Sequence, residues 1–155
     1  MRLPDEQARI AARRELDTTF LVEAGAGTGK TTVLVDRFIA CLLDEEGTTI
    51  DRVAAITFTD KAAGELRQRA RLRLEGLLAD PESRGAEFGD LDAARRDRLR
   101  AALEQLEAAP ISTIHSFAAR LLRERPVEAG IDPAFRQLDA LGSELLRDRL
   151  WENWL

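Results

Sequence analysis

The sequence of 155 residues has a net charge of −5 and a pI near 5.1, with 45% hydrophobic and 33% charged residues. This length suits one domain with a sizeable core, and the longest apolar run, Phe38 to Leu43, is far shorter than the roughly 18 residues of a membrane span. Cys41 is the only cysteine, which excludes internal disulfides and a zinc cluster, and the first residues lack the apolar segment of a secretion signal, so the expected compartment is the cytoplasm.

The predicted elements alternate between helix and strand. A helix over residues 5–15 precedes a strand over 18–23, and a helix over 29–43 follows. The apolar run at 53–58 predicts a strand that is buried on both faces of a parallel sheet. The later predicted elements are a helix over 61–79, a loop at 80–85, a helix over 92–108, a strand at 111–114, a helix over 116–125, a loop at 126–133 and a helix over 142–155. This order predicts a three-layer α/β domain with a parallel sheet.

The helix predicted over 61–79 has one regular apolar face. Its members recur at intervals of three and four residues, as a buried helix face requires, and are Ala63, Leu66, Ala70, Leu74 and Leu77. Thr59 or Asp60 is expected to cap its first turn. The same helix carries a local charge of +3, and residues 95–100 and 120–125 form further basic runs. Such runs are usually solvated helix faces, so charge does not decide whether the partner is a nucleic acid.

The stretch from Ala24 to Thr31, AGAGTGKT, has the order of a phosphate-binding P-loop, which lies between a strand and a helix. Its glycines let successive backbone N–H groups point into one concavity, and the start of the helix adds partial positive charge. Lys30 is expected to reach the β- and γ-phosphates, and Thr31 to bind Mg²⁺ through its hydroxyl. Ala24 stands where the pattern usually has glycine. The methyl group of alanine is tolerated there if φ stays negative. The alternative, a Gly-rich turn with a solvated lysine, fits the context poorly.

Three further segments resemble motifs of the superfamily 1 DNA helicases of the UvrD/Rep type. Residues 3–7, LPDEQ, are similar to the family's glutamine motif, whose side-chain amide matches the donor and acceptor on the N6/N7 edge of adenine. Residues 56–63, ITFTDKAA, are similar to motif Ia, and residues 111–117, ISTIHSF, to motif Ib. Both motifs contact single-stranded DNA at strand-to-helix turns. Within the group, the chain most resembles the AddA and RecB helicase–nuclease subunits.

The resemblance implies an ATP-dependent single-stranded DNA translocase or helicase with 3′-to-5′ polarity, built on a RecA-like P-loop NTPase domain and acting in DNA repair or recombination. It implies ATP and Mg²⁺ as cofactors, single-stranded DNA as partner and a second helicase–nuclease subunit in the full-length protein. The expected nucleotide-binding residues are Gln7, Ala24, Gly25, Ala26, Gly27, Thr28, Gly29, Lys30, Thr31 and Thr32, of which Lys30 and Thr31 also act in catalysis and Thr31 holds the metal. The expected DNA-binding residues are Thr57, Phe58, Thr59, Lys61, Thr113, His115 and Ser116.

Elementary chemistry supports these DNA contacts. In open parallel sheets, ligands bind at the carboxyl ends of the strands, so the two turns are expected to share an edge with the P-loop. Hydroxyls, backbone N–H groups and a lysine contact phosphates, and an aromatic ring stacks on a base. Alternatives remain open for three residues: Phe58 as a buried strand end, Lys61 as a solvated lysine and His115 as a structural histidine.

The sequence contains no suitable acidic residues that could join Thr31 in binding Mg²⁺. Leu42-Leu43-Asp44-Glu45 is the only apolar-then-acidic match, but it lies along the same predicted helix as Lys30, roughly 21 Å from the phosphates at about 1.5 Å per residue. The resemblance places the true acidic motif beyond Leu155. We therefore expect an amino-terminal fragment, with residues 1–134 in an incomplete ATP-binding domain with flanking helices and residues 135–155 starting a helical insertion. The alternative function is a nucleotide- or DNA-binding module that does not hydrolyse ATP.

Overall fold

The computed structural model describes residues 5–25, 27–44, 47–80 and 88–154. Within these ranges the chain is rich in helix and contains a small parallel sheet of two strands, β1 (Ala55–Thr57) and β2 (Ile111–Thr113). The helices are α1 (Glu6–Arg14), α2 (Lys30–Leu43), α3 (Asp60–Ala79), α4 (Ala93–Glu104), α5 (Ile114–Glu124), α6 (Pro126–Ala129) and α7 (Ala140–Trp154). Short 3₁₀ turns lie at Ile50–Arg52 and Leu106–Ala108.

The chain divides into two compact units, Met1–Ile114 and His115–Leu155. The core of the first unit is formed by α2, α3 and α4 around the two strands, and its most deeply buried side chains are Ile39, Leu42, Leu74, Leu77, Leu99, Leu106 and Ile111. The predicted apolar face of α3 is confirmed, because all five of its members are buried. Thr59 caps α3 as predicted, since its hydroxyl accepts a hydrogen bond from the Ala62 N–H at 3.1 Å.

The strand predicted at 18–23 is wrong, because these residues have no regular secondary structure. A strand exists only through hydrogen bonds to a neighbouring strand, and within the described ranges no strand pairs with this segment. Its apolar side chains consequently remain uncovered, with Leu21 87% exposed and Val22 47% exposed. The apolar pattern indicated a buried strand, but the described residues provide no surface that covers the segment.

The strand predicted at 53–58 is present but shorter, and it is not buried on both faces. Ala55 is buried, whereas Ile56 is 44% exposed, and Phe58 beyond the strand is 93% exposed. The strand at 111–114 is confirmed over Ile111–Thr113, and α5 begins at Ile114 rather than at Ser116. The loop predicted at 126–133 contains the one-turn helix α6. Most of the loop predicted at 80–85 lies outside the described residues.

Three arginines from the basic runs of the first unit bind groups on neighbouring elements. Arg67 on α3 donates from Nη2 to the Ile111 carbonyl at 2.8 Å, and Arg73 pairs with the buried Asp36 on α2 at 3.0 Å. Arg98 on α4 donates to the Asp44 carbonyl at the end of α2. The description of these runs as solvated faces is therefore wrong for these three arginines, because each of them joins two elements of the core.

The second unit contains most of α5 together with α6 and α7. Gln137 donates from its side-chain amide to the His115 carbonyl at 2.9 Å, and the Arg123 guanidinium lies 4.8 Å from the centre of the Phe135 ring. Helix α7 exposes large apolar side chains, including Trp151 and Trp154, whose ring centres are 5.5 Å apart. No helix of the described residues is long and apolar enough to cross a membrane.

Candidate nucleotide-binding site

The Gly-rich loop, defined here as residues 24–29, ends directly at the first residue of α2. Gly27 and Gly29 have φ angles of +77° and +89°, which side-chain-bearing residues rarely adopt. Ala24 does not have a positive φ, which agrees with the expectation that a methyl group is tolerated there. Ala26 lies outside the described residues. The two glycines give the loop the sharp changes of direction that a ring of inward-facing N–H groups requires.

Three side chains donate hydrogen bonds to carbonyl groups in the described part of this loop. Lys30 places Nζ 2.6 Å from both the Ala24 and the Gly25 carbonyl oxygens. The Thr28 hydroxyl donates to the Gly25 carbonyl at 2.8 Å. Arg9 on α1 donates from Nη2 to the Thr28 carbonyl at 2.8 Å. The chain itself therefore supplies hydrogen-bond donors to the carbonyl groups of Ala24, Gly25 and Thr28.

Lys30 is exposed and directly follows the loop. Its side chain folds back over the loop, so that the ammonium group contacts the loop carbonyl groups at what we call the mouth of the loop. Thr31 follows it in the first turn of α2 and is half-buried, and Thr32 is exposed one residue later. The structure therefore brings Gly27, Gly29 and Lys30 together at the start of one helix. The positive end of that helix adds to the charge of the lysine, and the combination fits an anion such as a phosphate chain.

A cavity of about 220 Å³ lies beside the loop, between α1 and the irregular segment that precedes the loop. Its lining includes Ala8 and Ala12 from α1, Phe20 and Val22 from the irregular segment, and Lys30. Gln7, the residue expected to read adenine, is exposed on α1 and is not among the residues that line this cavity. Residues 3 and 4 of the glutamine motif lie outside the described residues.

Two arginines at this site were missed by the sequence reasoning. Arg9 binds the loop directly, and Arg37 on α2 donates to backbone carbonyls at the end of α1 and in the turn that leads towards the loop. Both act on backbone carbonyl groups at least 19 positions away in the chain. No sequence pattern marks such contacts, because every residue has a carbonyl group and any residue can accept them.

The DNA-binding candidates of the first unit lie at the ends of the paired strands. Thr57 and Thr113 are register partners in the parallel pairing, so the two strand ends are adjacent as predicted. Phe58 is 93% exposed, which excludes a buried strand end, and Lys61 is exposed in the first turn of α3. Thr113, by contrast, is only 8% exposed, and the Thr59 hydroxyl is engaged as the cap of α3.

The remaining DNA-binding candidates belong to the second unit. His115 and Ser116 are exposed in the first turn of α5. Among the described residues, no group of three or more histidine, cysteine or acidic side chains is arranged to hold a metal ion. Asp44 of the acidic match ends α2, at the opposite end of that helix from Lys30.

Comparison with known proteins gives a consistent result. Residues 4–153 match the family model of the UvrD/REP helicase N-terminal domain. The chain is 41% identical over 137 residues to an ATP-dependent helicase/nuclease subunit from Natranaerobius thermophilus, a match that covers 87% of this chain and 10% of that protein. Proteins with the same name from Moorella thermoacetica and Limosilactobacillus reuteri are 40% and 38% identical to the chain, respectively. These matches include 97% and 94% of this chain, and 10% of each of the two relatives. The chain thus spans about a tenth of the length of these relatives.

Proposed function

The chain belongs to the UvrD/REP helicase N-terminal family, and from this premise we propose that its Gly-rich loop binds Mg·ATP as part of a RecA-like P-loop ATPase domain. The observation that carries the proposal is the loop itself. Gly27 and Gly29 have positive φ angles, and Lys30 begins the next helix with its ammonium group at the mouth of the loop. This arrangement supplies N–H donors, a helix start and a lysine to a single anion.

Each residue of the site has a distinct proposed role. Lys30 exchanges its two carbonyl partners for the β- and γ-phosphates, and Thr31 offers its hydroxyl to Mg²⁺. Mg²⁺ held by Thr31 would supply positive charge beside the phosphates. Gln7 reads the adenine edge through its amide, since it is exposed on α1 and has both a donor and an acceptor.

We further propose that the ends of β1 and β2 contact single-stranded DNA. Phe58 offers an almost fully exposed ring for stacking on a base, and Lys61 offers a cation to the backbone. Lys30 and Lys61 are the only two lysines of the sequence, and each follows one of the two turns that are proposed to bind phosphate groups. Thr57 and Thr59 contribute backbone groups, because their hydroxyls are engaged within the chain, and the buried Thr113 positions the end of β2. In the second unit, the exposed His115 and Ser116 are proposed as DNA-binding residues of α5.

For the whole protein we propose an ATP-dependent single-stranded DNA translocase or helicase of 3′-to-5′ polarity that acts in DNA repair or recombination, together with a second helicase–nuclease subunit. This proposal rests on the names of the relatives and on family membership. Residues 1–134 would then form part of the ATP-binding domain, and residues 135–155 would start a helical insertion. The second candidate is a module that binds nucleotide or DNA without turnover. If single-stranded DNA stimulates ATP hydrolysis by the full-length protein, the translocase is supported. Binding of nucleotide or DNA without hydrolysis supports the module.

Two substitutions test the DNA surface. Lys61→Ala should weaken binding to all single-stranded oligonucleotides alike and make the salt dependence shallower by about one contact. Phe58→Ala should cost about 1–3 kcal/mol of binding free energy with little change in salt dependence, because stacking is not ionic. Since the Phe58 ring is exposed, its removal should leave folding within about 0.5 kcal/mol of the parent.

The measurement is a fluorescence-anisotropy titration at several salt concentrations, with Arg96→Ala as a charge-matched control on the exposed side of α4. The control should bind like the parent. If neither Phe58→Ala, Lys61→Ala nor His115→Ala changes binding to single-stranded oligonucleotide in the full-length protein, this surface is not the DNA-binding surface.

A further inference from the structure

Arg9 connects helix α1 to the backbone of the Gly-rich loop. Its Nε and Nη2 atoms both lie 2.8 Å from the Asp5 carboxylate, one turn earlier on the chain. Nη2 also donates to the Thr28 carbonyl at 2.8 Å, and Nη1 lies 3.3 Å from the position that a Cβ atom on Gly29 would occupy. The guanidinium group is thus fixed on one side by a carboxylate and lies against two consecutive residues of the loop on the other.

The contact with the Thr28 carbonyl also determines the direction of an N–H group. The peptide bond between Thr28 and Gly29 is trans, as are all the described peptide bonds, so its C=O and N–H point in opposite directions. Because Arg9 holds the carbonyl towards α1, the Gly29 N–H points in the opposite direction within the peptide plane, away from the guanidinium.

This peptide is also the one in the loop that most needs to be held. Thr28 lies between Gly27 and Gly29, both of which have positive φ angles and wide conformational freedom. A peptide next to flexible glycines can rotate as a unit, and the rotated form would present a carbonyl oxygen to the ligand instead of an N–H. A carbonyl in that position would repel a phosphate.

We propose that Arg9 is a positioning residue for the phosphate chain of the nucleotide, and that it acts by holding the Thr28–Gly29 peptide so that the Gly29 N–H faces the ligand. The inference rests on the proposed binding of Mg·ATP at the loop. Asp5 completes the arrangement, because its carboxylate accepts a hydrogen bond from Nε and pairs with Nη2, the same atom that donates to the Thr28 carbonyl. The hydrogen bond from Arg9 lowers the pKa of the Asp5 carboxyl from its ordinary value, as expected when a cation stabilises the ionised form.

The test compares ligands that differ in their phosphates, in the full chain. Arg9→Gln should weaken Mg·ATP and Mg-tripolyphosphate by the same factor, about threefold, because the bond to the Thr28 carbonyl is exposed and water replaces part of it. AMP lacks the β-phosphate that the loop binds, so its affinity should not change. Arg9→Lys keeps a cation that can reach the Thr28 carbonyl, and it should recover most of the loss. Arg96→Gln, at an exposed arginine on α4, is the matched control and should bind like the parent.

The outcomes separate this inference from the function on which it depends. If the parent chain does not bind Mg·ATP, the proposed function itself fails. If the parent binds and Arg9→Gln binds Mg·ATP equally well, the positioning role is wrong. An equal loss for AMP and Mg·ATP, together with a lowered melting temperature, would show that Arg9 supports the fold and does not orient the loop. In a nuclear magnetic resonance spectrum, the Gly29 amide signal of Arg9→Gln should shift before any ligand is added, and an unchanged signal would also contradict the proposal.

Discussion

Replacing Arg37 by alanine should destabilise the first unit strongly. This side chain reaches from α2 to the end of α1, where the last carbonyl groups of the helix lack partners within the helix. Its guanidinium lies 5.4 Å from the centre of the Phe20 ring. It donates to the carbonyl oxygens of Ala12 at 2.6 Å, Glu15 at 3.1 Å, Leu16 at 3.2 Å and Thr18 at 2.9 Å.

The expected loss follows from how accessible these carbonyl groups are to water. The bonds to Ala12 and Leu16 are half-buried, so each should contribute about 1.5 kcal/mol as a hydrogen bond from a charged donor. The bonds to Glu15 and Thr18 are exposed, and water replaces them at little cost. With about 0.5 kcal/mol for the ring contact, Arg37→Ala should lower the free energy of unfolding by about 3–4 kcal/mol. At about 2–4 °C per kcal/mol for a chain of this size, the melting temperature should fall by roughly 10 °C.

The assay is urea unfolding followed by circular dichroism, with thermal melts in parallel. Arg37→Lys keeps the charge but loses the planar fork, so it should lie between the parent and Arg37→Ala. Arg96→Ala, an exposed arginine on α4, should stay within about 0.5 kcal/mol of the parent. If Arg37→Ala unfolds at the same urea concentration as Arg96→Ala, the carbonyl contacts do not stabilise the unit and the reasoning is refuted.

Two other predictions concern single side chains. Burial raises the pKa of the Cys41 thiol, so less thiolate forms near neutral pH. Cys41 should therefore react with iodoacetamide more slowly in the folded chain than in urea, and equal rates under both conditions would show that the thiol is not protected. Gln7→Ala should weaken ATP binding while leaving GTP nearly unchanged, because the amide matches the N6/N7 edge of adenine. Competition titrations with both nucleotides measure the difference, and equal losses would remove the adenine-reading role.

Helix α3 could be predicted from the sequence almost completely. Its 20 residues are long enough for apolar residues to recur several times at intervals of three and four. Thr59 marks its start through a local hydrogen bond. The Gly-rich loop is predictable for the same kind of reason. Two glycines with positive φ angles and a lysine at the helix start form a local pattern that does not depend on distant partners.

The segment at 18–23 shows where such reasoning fails. Its apolar residues indicate a strand, but strand formation depends on a neighbour elsewhere in the chain, and the described residues do not provide one. The same limit applies to Arg9 and Arg37, whose partners are backbone carbonyls far away in sequence. The arginine runs are easily misread because their charge is visible in the sequence, whereas the burial of Asp36 and the carbonyl groups that bind them are not.

Calorimetric titration of the chain with Mg·ATP, before and after Lys30→Ala, tests the central claim most directly. The parent should bind one equivalent. The variant should show no measurable binding, because the phosphates lose the lysine at the mouth of the loop while the buried core is unchanged. Arg96→Ala should bind like the parent and exclude a general effect of lost charge. If Lys30→Ala binds Mg·ATP as tightly as the parent, the Gly-rich loop is not the nucleotide site.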